Sequence, residues 1–207
     1  MRLYLARHGQ TTSNVSGALD TAAPGADLTE TGRVQAQELA QRLDGVSLDG
    51  VLTSHLVRTQ QTAEPVTSTR NLPPRIDHRI AEIAGGEWEM TTEHRLLRNY
   101  FEIAYGWMEG DLNGRIPGGE NGHEVVERFN AAIEESDEDS LLVVSHGMML
   151  QVWANIVVGD PAGGILPHMT NCALGVIEGK PGNWKLVDWY KPPFPGDEVA
   201  QWDEKAE

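Results

Sequence analysis

Leu141-Leu142-Val143-Val144-Ser145-His146-Gly147 is the stretch that decides the architecture. Four apolar residues in a row, two of them β-branched, end abruptly at Ser-His-Gly, which reads as a short buried strand. A helix follows from about Met148 to Val158. The same grammar opens the chain, where Leu3, Leu5 and Ala6 lead into Arg7-His8-Gly9. Each run ends on a histidine and then a glycine.

Working outward, Gly50-Val51-Leu52-Thr53 reads as another short strand, and Arg75 to Ile83 as extended, with Ile76, Ile80 and Ile83 as candidate core residues. Thr29 is placed to cap a helix carrying Ala36, Leu39, Ala40 and Leu43 at helical spacing. A second helix starts near Ser54 and runs past Ala63, with its end left open by Pro65. Glu93 to Met108 reads as an aromatic-rich helix. Asn121 with Glu124 forms a capping box ahead of the apolar face Val125, Val126, Phe129, Ala132 and Ile133. The acidic run Glu134 to Asp139 reads as a solvated loop. Ala173 to Ile177 and Trp184 to Trp189 flank Gly179-Lys180-Pro181-Gly182 as a terminal hairpin.

This alternation predicts an α/β fold: a three-layer sandwich with a mostly parallel central sheet and helices on both faces. The 207 residues form a single domain (1–207), with a lid-like insertion at about 90–120 and a loose tail at about 192–207. In such sheets, ligands gather at the carboxyl ends of strands. His8 and His146 both fall there, and neighbouring strands would place them in one crevice.

Sixteen basic and 31 acidic side chains give a formal charge of −15, which argues against binding nucleic acid or an anionic membrane surface. A few local arginines can still build one small anion pocket. The single cysteine, Cys172, excludes an internal disulfide framework. No stretch approaches the ~20 apolar residues of a membrane span, and a cytoplasmic protein is the expectation.

The strand-end residues suit phosphoryl transfer. His8 can offer an uncharged ring nitrogen as a covalent nucleophile. Arg7 beside it carries a planar cationic fork suited to phosphate oxygens. Arg58 sits early in its helix, where a cation opposes the helix dipole unless an anion offsets it. Gly9 and Gly147 let backbone approach a ligand closely. His55, His78, His94, His123 and His168 read as ordinary surface or hydrogen-bonded histidines. The chain lacks GxxxxGK[ST], GxGxxG and GxSxG, and an arginine beside His8 would repel a metal ion there.

Leu5-Ala6-Arg7-His8-Gly9-Gln10-Thr11 with Asn14 resembles the signature of the histidine phosphatase superfamily, which includes the phosphoglycerate mutases. The resemblance continues, in order, through Leu28-Thr29-Glu30-Thr31-Gly32, Thr53 to Ala63, Glu82 to Glu89, Pro117-Gly118-Gly119-Glu120 and Val143 to Gly147, covering roughly residues 1–160. It implies a phosphoglycerate mutase-like fold and a small phosphorylated substrate. His8 would be phosphorylated and then dephosphorylated. Arg7, Arg58 and His146 would hold the transferring phosphoryl group, with Asn14 and Gly147 as further phosphate- or substrate-binding positions. Glu82 would protonate the leaving oxygen and then take a proton from the attacking water, with Glu87 as the competing candidate. No metal and no cofactor is implied.

His55, Met90 and Ala22-Ala23-Pro24-Gly25 depart from the family pattern and bear on substrate fit rather than on the phosphoryl pocket. Between about Glu93 and Arg115, Leu96, Leu97, Tyr100, Phe101, Ile103, Tyr105, Trp107 and Met108 would suit an apolar or mixed leaving group. That favours a phosphatase over phosphoglycerate mutase-type transfer. The rivals from other classes are a non-catalytic phosphate-ligand binding protein on the same fold and a metal-dependent hydrolase. The aromatic segment and the terminal hairpin are each candidate surfaces for a homodimer.

Overall fold

The computed structural model describes residues 1–159 and 164–189. The tail expected from about 192 lies outside them. One six-stranded sheet contains β1 (Arg2–Arg7), β2 (Gly50–Thr53), β3 (Arg75–Ile76), β4 (Ser140–Ser145), β5 (Leu174–Lys180) and β6 (Asn183–Trp189). Their order is β3-β2-β4-β1-β5-β6. The first four in that order are parallel, β5 is antiparallel to β1, and β6 is antiparallel to β5. The expected mostly parallel sheet and terminal hairpin are therefore both present.

Helices α1 (Thr12–Ser16), α2 (Glu30–Arg42), α3 (Val57–Arg70), α4 (His94–Met108), α5 (Gly122–Glu134) and α6 (Gly147–Val157) complete the described elements, with short 3-10 turns at His78–Ile80 and Gly86–Trp88. Side chains alternate across a strand, so each central strand feeds two cores. Leu3, Leu5, Leu52, Leu141 and Val143 pack with Tyr100 and Trp107 of α4, Phe129 of α5 and Trp153 of α6. Ala6, Val51, Leu142 and Val144 pack on the other face with Leu39 of α2 and with Ala63 and Val66 of α3. Leu5, Leu142 and Val143 are fully buried, and truncating such a leucine to alanine costs about 2–5 kcal/mol.

Thr29 caps α2 by accepting from Gly32 N, and the Asn121–Glu124 box caps α5. The polar stretch after Gln10 holds α1, started by a capping box from Thr11 and Asn14. Helix α3 begins at Val57 and runs through Pro65.

Two expectations change. Ile80 and Ile83 are buried, but Ile76 is 53% exposed, because β3 is a two-residue edge strand covered on one side only. Of the aromatic residues assigned to cover a substrate, Tyr100 and Trp107 are buried in the core, and Phe101 packs against it. Leu97, Tyr100, Ala104 and Trp107 lie along one stripe of α4, the spacing of a core-facing helix. Their composition therefore says nothing about the leaving group.

Candidate active site

Strand register assembles the site. β1 and β4 are adjacent and parallel, with Arg7 opposite Ser145. The next residue on each strand is a histidine, and His8 N donates to Ser145 O at 3.0 Å. β2 lies on the other side of β4 with Thr53 opposite Val144, which brings Ser54 to the same edge. Three neighbouring strand ends thus deliver His8, His146 and Ser54 to one crevice.

The two imidazole rings stand 5.3 Å apart at 60°. His8 is 3% exposed and His146 is fully buried. The Nδ1 of His8 lies 2.7 Å from the Gly9 carbonyl oxygen. A carbonyl only accepts, so Nδ1 carries the proton and Nε2 keeps its lone pair. Burial, then the charges of Arg58 and Arg7, push the His8 imidazole well below its ordinary value of 6.5. Burial, then Arg58 and His8, do the same to His146. Both rings are held neutral, with the positive charge of the crevice left to the arginines.

Arg58, at the second position of α3, is 2% exposed. Its Nε donates to His146 Nδ1 at 3.3 Å, and Nη2 donates to the Asp20 carbonyl at 2.8 Å. Nη1 lies 3.6 Å from an Asp20 carboxylate oxygen and has no hydrogen-bond partner among the described residues. A buried guanidinium N–H without a partner is costly, and an anion would satisfy it. Ser54 Oγ lies 2.8 Å from His146 Nε2 and 3.0 Å from Thr59 Oγ1.

Arg7 Nη1 donates to the Met169 carbonyl at 2.7 Å and contacts His168 Nε2 at 3.1 Å. A Cβ on Gly147 would stand 3.0–3.3 Å from the Arg7 side chain, and a Cβ on Gly9 would stand 2.6 Å from Gly32 O. Both glycines are needed, but the close neighbour in each case is protein rather than ligand. Asn14 Oδ1 accepts from Thr11 N at 3.0 Å and from Asn171 Nδ2 at 3.1 Å, which leaves its NH2 group for a ligand.

Glu82 projects to the start of α6. Its Oε1 accepts from Ile83 N at 3.0 Å and Met149 N at 2.9 Å, while Oε2 has one donor, Met148 N, at 3.4 Å. The other acids of this segment go elsewhere. Glu87 is exposed, with its backbone N–H on the Pro117 carbonyl. Glu89 accepts from Thr21 N at 2.8 Å, Ala22 N at 2.9 Å and Thr21 Oγ1, fastening the loop whose Asp20 meets Arg58. The structure thus brings Arg7, His8, Arg58, Glu82, His146 and Gly147 to neighbouring strand and helix ends, and Glu87 stays outside.

The remaining histidines are exposed, as expected of them, although His168 reaches Arg7. Sequence reading passed over Ser54, Asp20 and Asn171. Asn171 Nδ2 donates to the His8 carbonyl at 3.0 Å as well as to Asn14. Only the position of Ser54, directly after a strand, carried a local signal.

The family model for the histidine phosphatase superfamily (branch 1) matches residues 3–192. An adenosylcobalamin/alpha-ribazole phosphatase of Escherichia coli is 39% identical over 167 residues, which is 78% of this chain and 81% of that protein. A protein named as a probable phosphoglycerate mutase in Cronobacter sakazakii is 32% identical over 202 residues, 91% of this chain and 90% of its own length. A mycobacterial glucosyl-3-phosphoglycerate phosphatase, solved as a complex with VO3, superposes with a TM-score of 0.77 at 25% identity, covering 92% of this chain and 99% of that one.

Proposed function

The chain belongs to the histidine phosphatase superfamily, branch 1, and from that premise we propose that it hydrolyses a small phosphomonoester through a phosphohistidine on His8. The observation that carries the assignment is the fixed tautomer of His8: Nδ1–H is tied to the Gly9 carbonyl, so the lone pair on Nε2 faces reaction beside a second buried imidazole.

In the first step Nε2 attacks phosphorus. The P–Nε2 bond forms as the bond from phosphorus to the ester oxygen breaks. Glu82 gives its proton to the departing oxygen, which leaves as an alcohol. Oε2 is the oxygen suited to carry that proton, because Oε1 already accepts two backbone N–H groups. In the second step water attacks phosphorus, the P–Nε2 bond breaks, and Glu82 takes a proton from the water. Arg7 and Arg58 supply charge to the phosphoryl oxygens throughout. The Asn14 NH2 group adds a neutral donor. This scheme routes no step through a metal.

Hydrolysis is supported by two of the relatives, which are named as an adenosylcobalamin/alpha-ribazole phosphatase and a glucosyl-3-phosphoglycerate phosphatase. No helix among the described residues is long and apolar enough to cross a membrane. The test is inorganic phosphate release from aryl phosphates in excess chelator. Release that is lost in His8→Ala supports the reading. Phosphate binding without release would instead make the chain a phosphate-binding member of the fold.

A further inference from the structure

Residues 79–84 form the segment that presents Glu82, and every carbonyl from Arg79 to Ile83 receives a side-chain donor. Arg128 Nη1 donates to Arg79 O at 2.6 Å and to Ala81 O at 2.8 Å, and its Nη2 donates to Glu82 O at 3.2 Å. Ser145 Oγ donates to Ile80 O at 2.7 Å, and Tyr100 OH donates to Ile83 O at 2.9 Å. One guanidinium on α5 therefore holds three of the five. Outside a sheet or helix, backbone carbonyls half-removed from water need such partners.

Arg128 is itself held in a fork. Its Nε donates to Glu120 Oε1 at 2.6 Å and its Nη2 to Glu120 Oε2 at 3.0 Å. Glu120 Oε2 also accepts from Ala84 N at 3.1 Å, so the pair grips both sides of the Glu82 segment. The two side chains are 19% and 21% exposed. A planar guanidinium can serve several acceptors in fixed directions, whereas an ammonium cannot reproduce that fork.

We propose that Arg128, aligned by Glu120, is the positioning residue that aims the Glu82 carboxyl at the leaving oxygen. Arg128 touches no reacting atom. It fixes the backbone of Glu82 while the first turn of α6 fixes the carboxyl group. The inference rests on the assignment of Glu82 as the acid.

A misaimed acid has a signature that general loss of structure lacks. Departure of dinitrophenolate needs no proton, while departure of phenolate does. The ratio of kcat/KM for phenyl phosphate to kcat/KM for 2,4-dinitrophenyl phosphate reads acid delivery and is independent of how much of the protein is folded. Arg128→Met is expected to lower that ratio about tenfold, a part of the roughly 100- to 10,000-fold that a general acid contributes. Arg128→Lys should recover part of it, and Glu120→Gln should fall between wild type and Arg128→Met. An unchanged ratio in Arg128→Met, including equal loss on both substrates, overturns the proposal. Glu82→Gln is measured alongside. If it lowers the ratio and Arg128→Met does not, only the positioning role fails. If Glu82→Gln leaves the ratio unchanged, the acid assignment fails and the role of Arg128 falls with it.

Discussion

Arg58 Nε donates to His146 Nδ1 at 3.3 Å, and this one bond sets the protonation of the second imidazole. An arginine N–H only donates, so Nδ1 must accept. In the neutral ring the proton then sits on Nε2 and points at Ser54 Oγ, 2.8 Å away. Both ring nitrogens of His146 are thus engaged by protein groups.

Ser54→Ala would remove that anchor and leave a buried N–H without a partner. Such a group costs about 1–3 kcal/mol. We expect a lower thermal midpoint by several degrees and a kcat reduced more than phosphate affinity. Unchanged kcat with His146 still ordered would show that the Ser54 bond does not control the ring. Thermal melts and vanadate inhibition give the two readouts.

Gly147→Ala places a methyl group 3.0–3.3 Å from the Arg7 side chain, tighter than ordinary contact. Arg7 must shift, whereas His8 and His146 need not. The expected outcome is a raised KM and weaker inhibition by phosphate, with a smaller effect on the thermal midpoint. Steady-state kinetics with competing phosphate check it, and a KM equal to wild type would contradict it.

Stability should depend on pH in a direction set by the two buried imidazoles. Both folded-state values lie below the unfolded value of 6.5. Below that pH the unfolded chain binds protons that the folded protein refuses. The stability linked to these rings is therefore fully present above 6.5 and is lost as the pH falls toward the folded values. Thermal midpoints measured from about pH 8 to about pH 5 should fall less steeply in His8→Gln and His146→Gln than in wild type. Equal slopes would contradict the depressed values. For the same reason the acidic limb of kcat/KM that belongs to His8 should lie below 6.5.

Much of this site is written locally. His8 and His146 each end a buried apolar run, and a parallel sheet sends such ends to one edge. Arg58 stands out as a cation at the start of a helix, where only a nearby anion makes sense of it. What lies beyond local pattern depends on register. Ser54 meets His146 because β2 pairs with β4, and Asn171 meets His8 because the turn before β5 returns to β1. No spacing in the sequence encodes either contact. Leu97, Tyr100, Ala104 and Trp107 stand at core-facing helical spacing, yet the aromatic composition of their segment suggested a fit to the leaving group. Ile76 misled in the opposite way, since an apolar residue in a two-residue edge strand has nothing to cover its outer side.

The account turns on covalent attachment of phosphate to His8 Nε2. Rapid quenching of the enzyme with a ³²P-labelled aryl phosphate, followed by peptide mapping, tests it most directly. The account predicts an acid-labile, base-stable label on the peptide carrying His8, absent from His8→Ala and lost on the timescale of turnover. Full turnover with no label at any time, or a label on another residue, would contradict it.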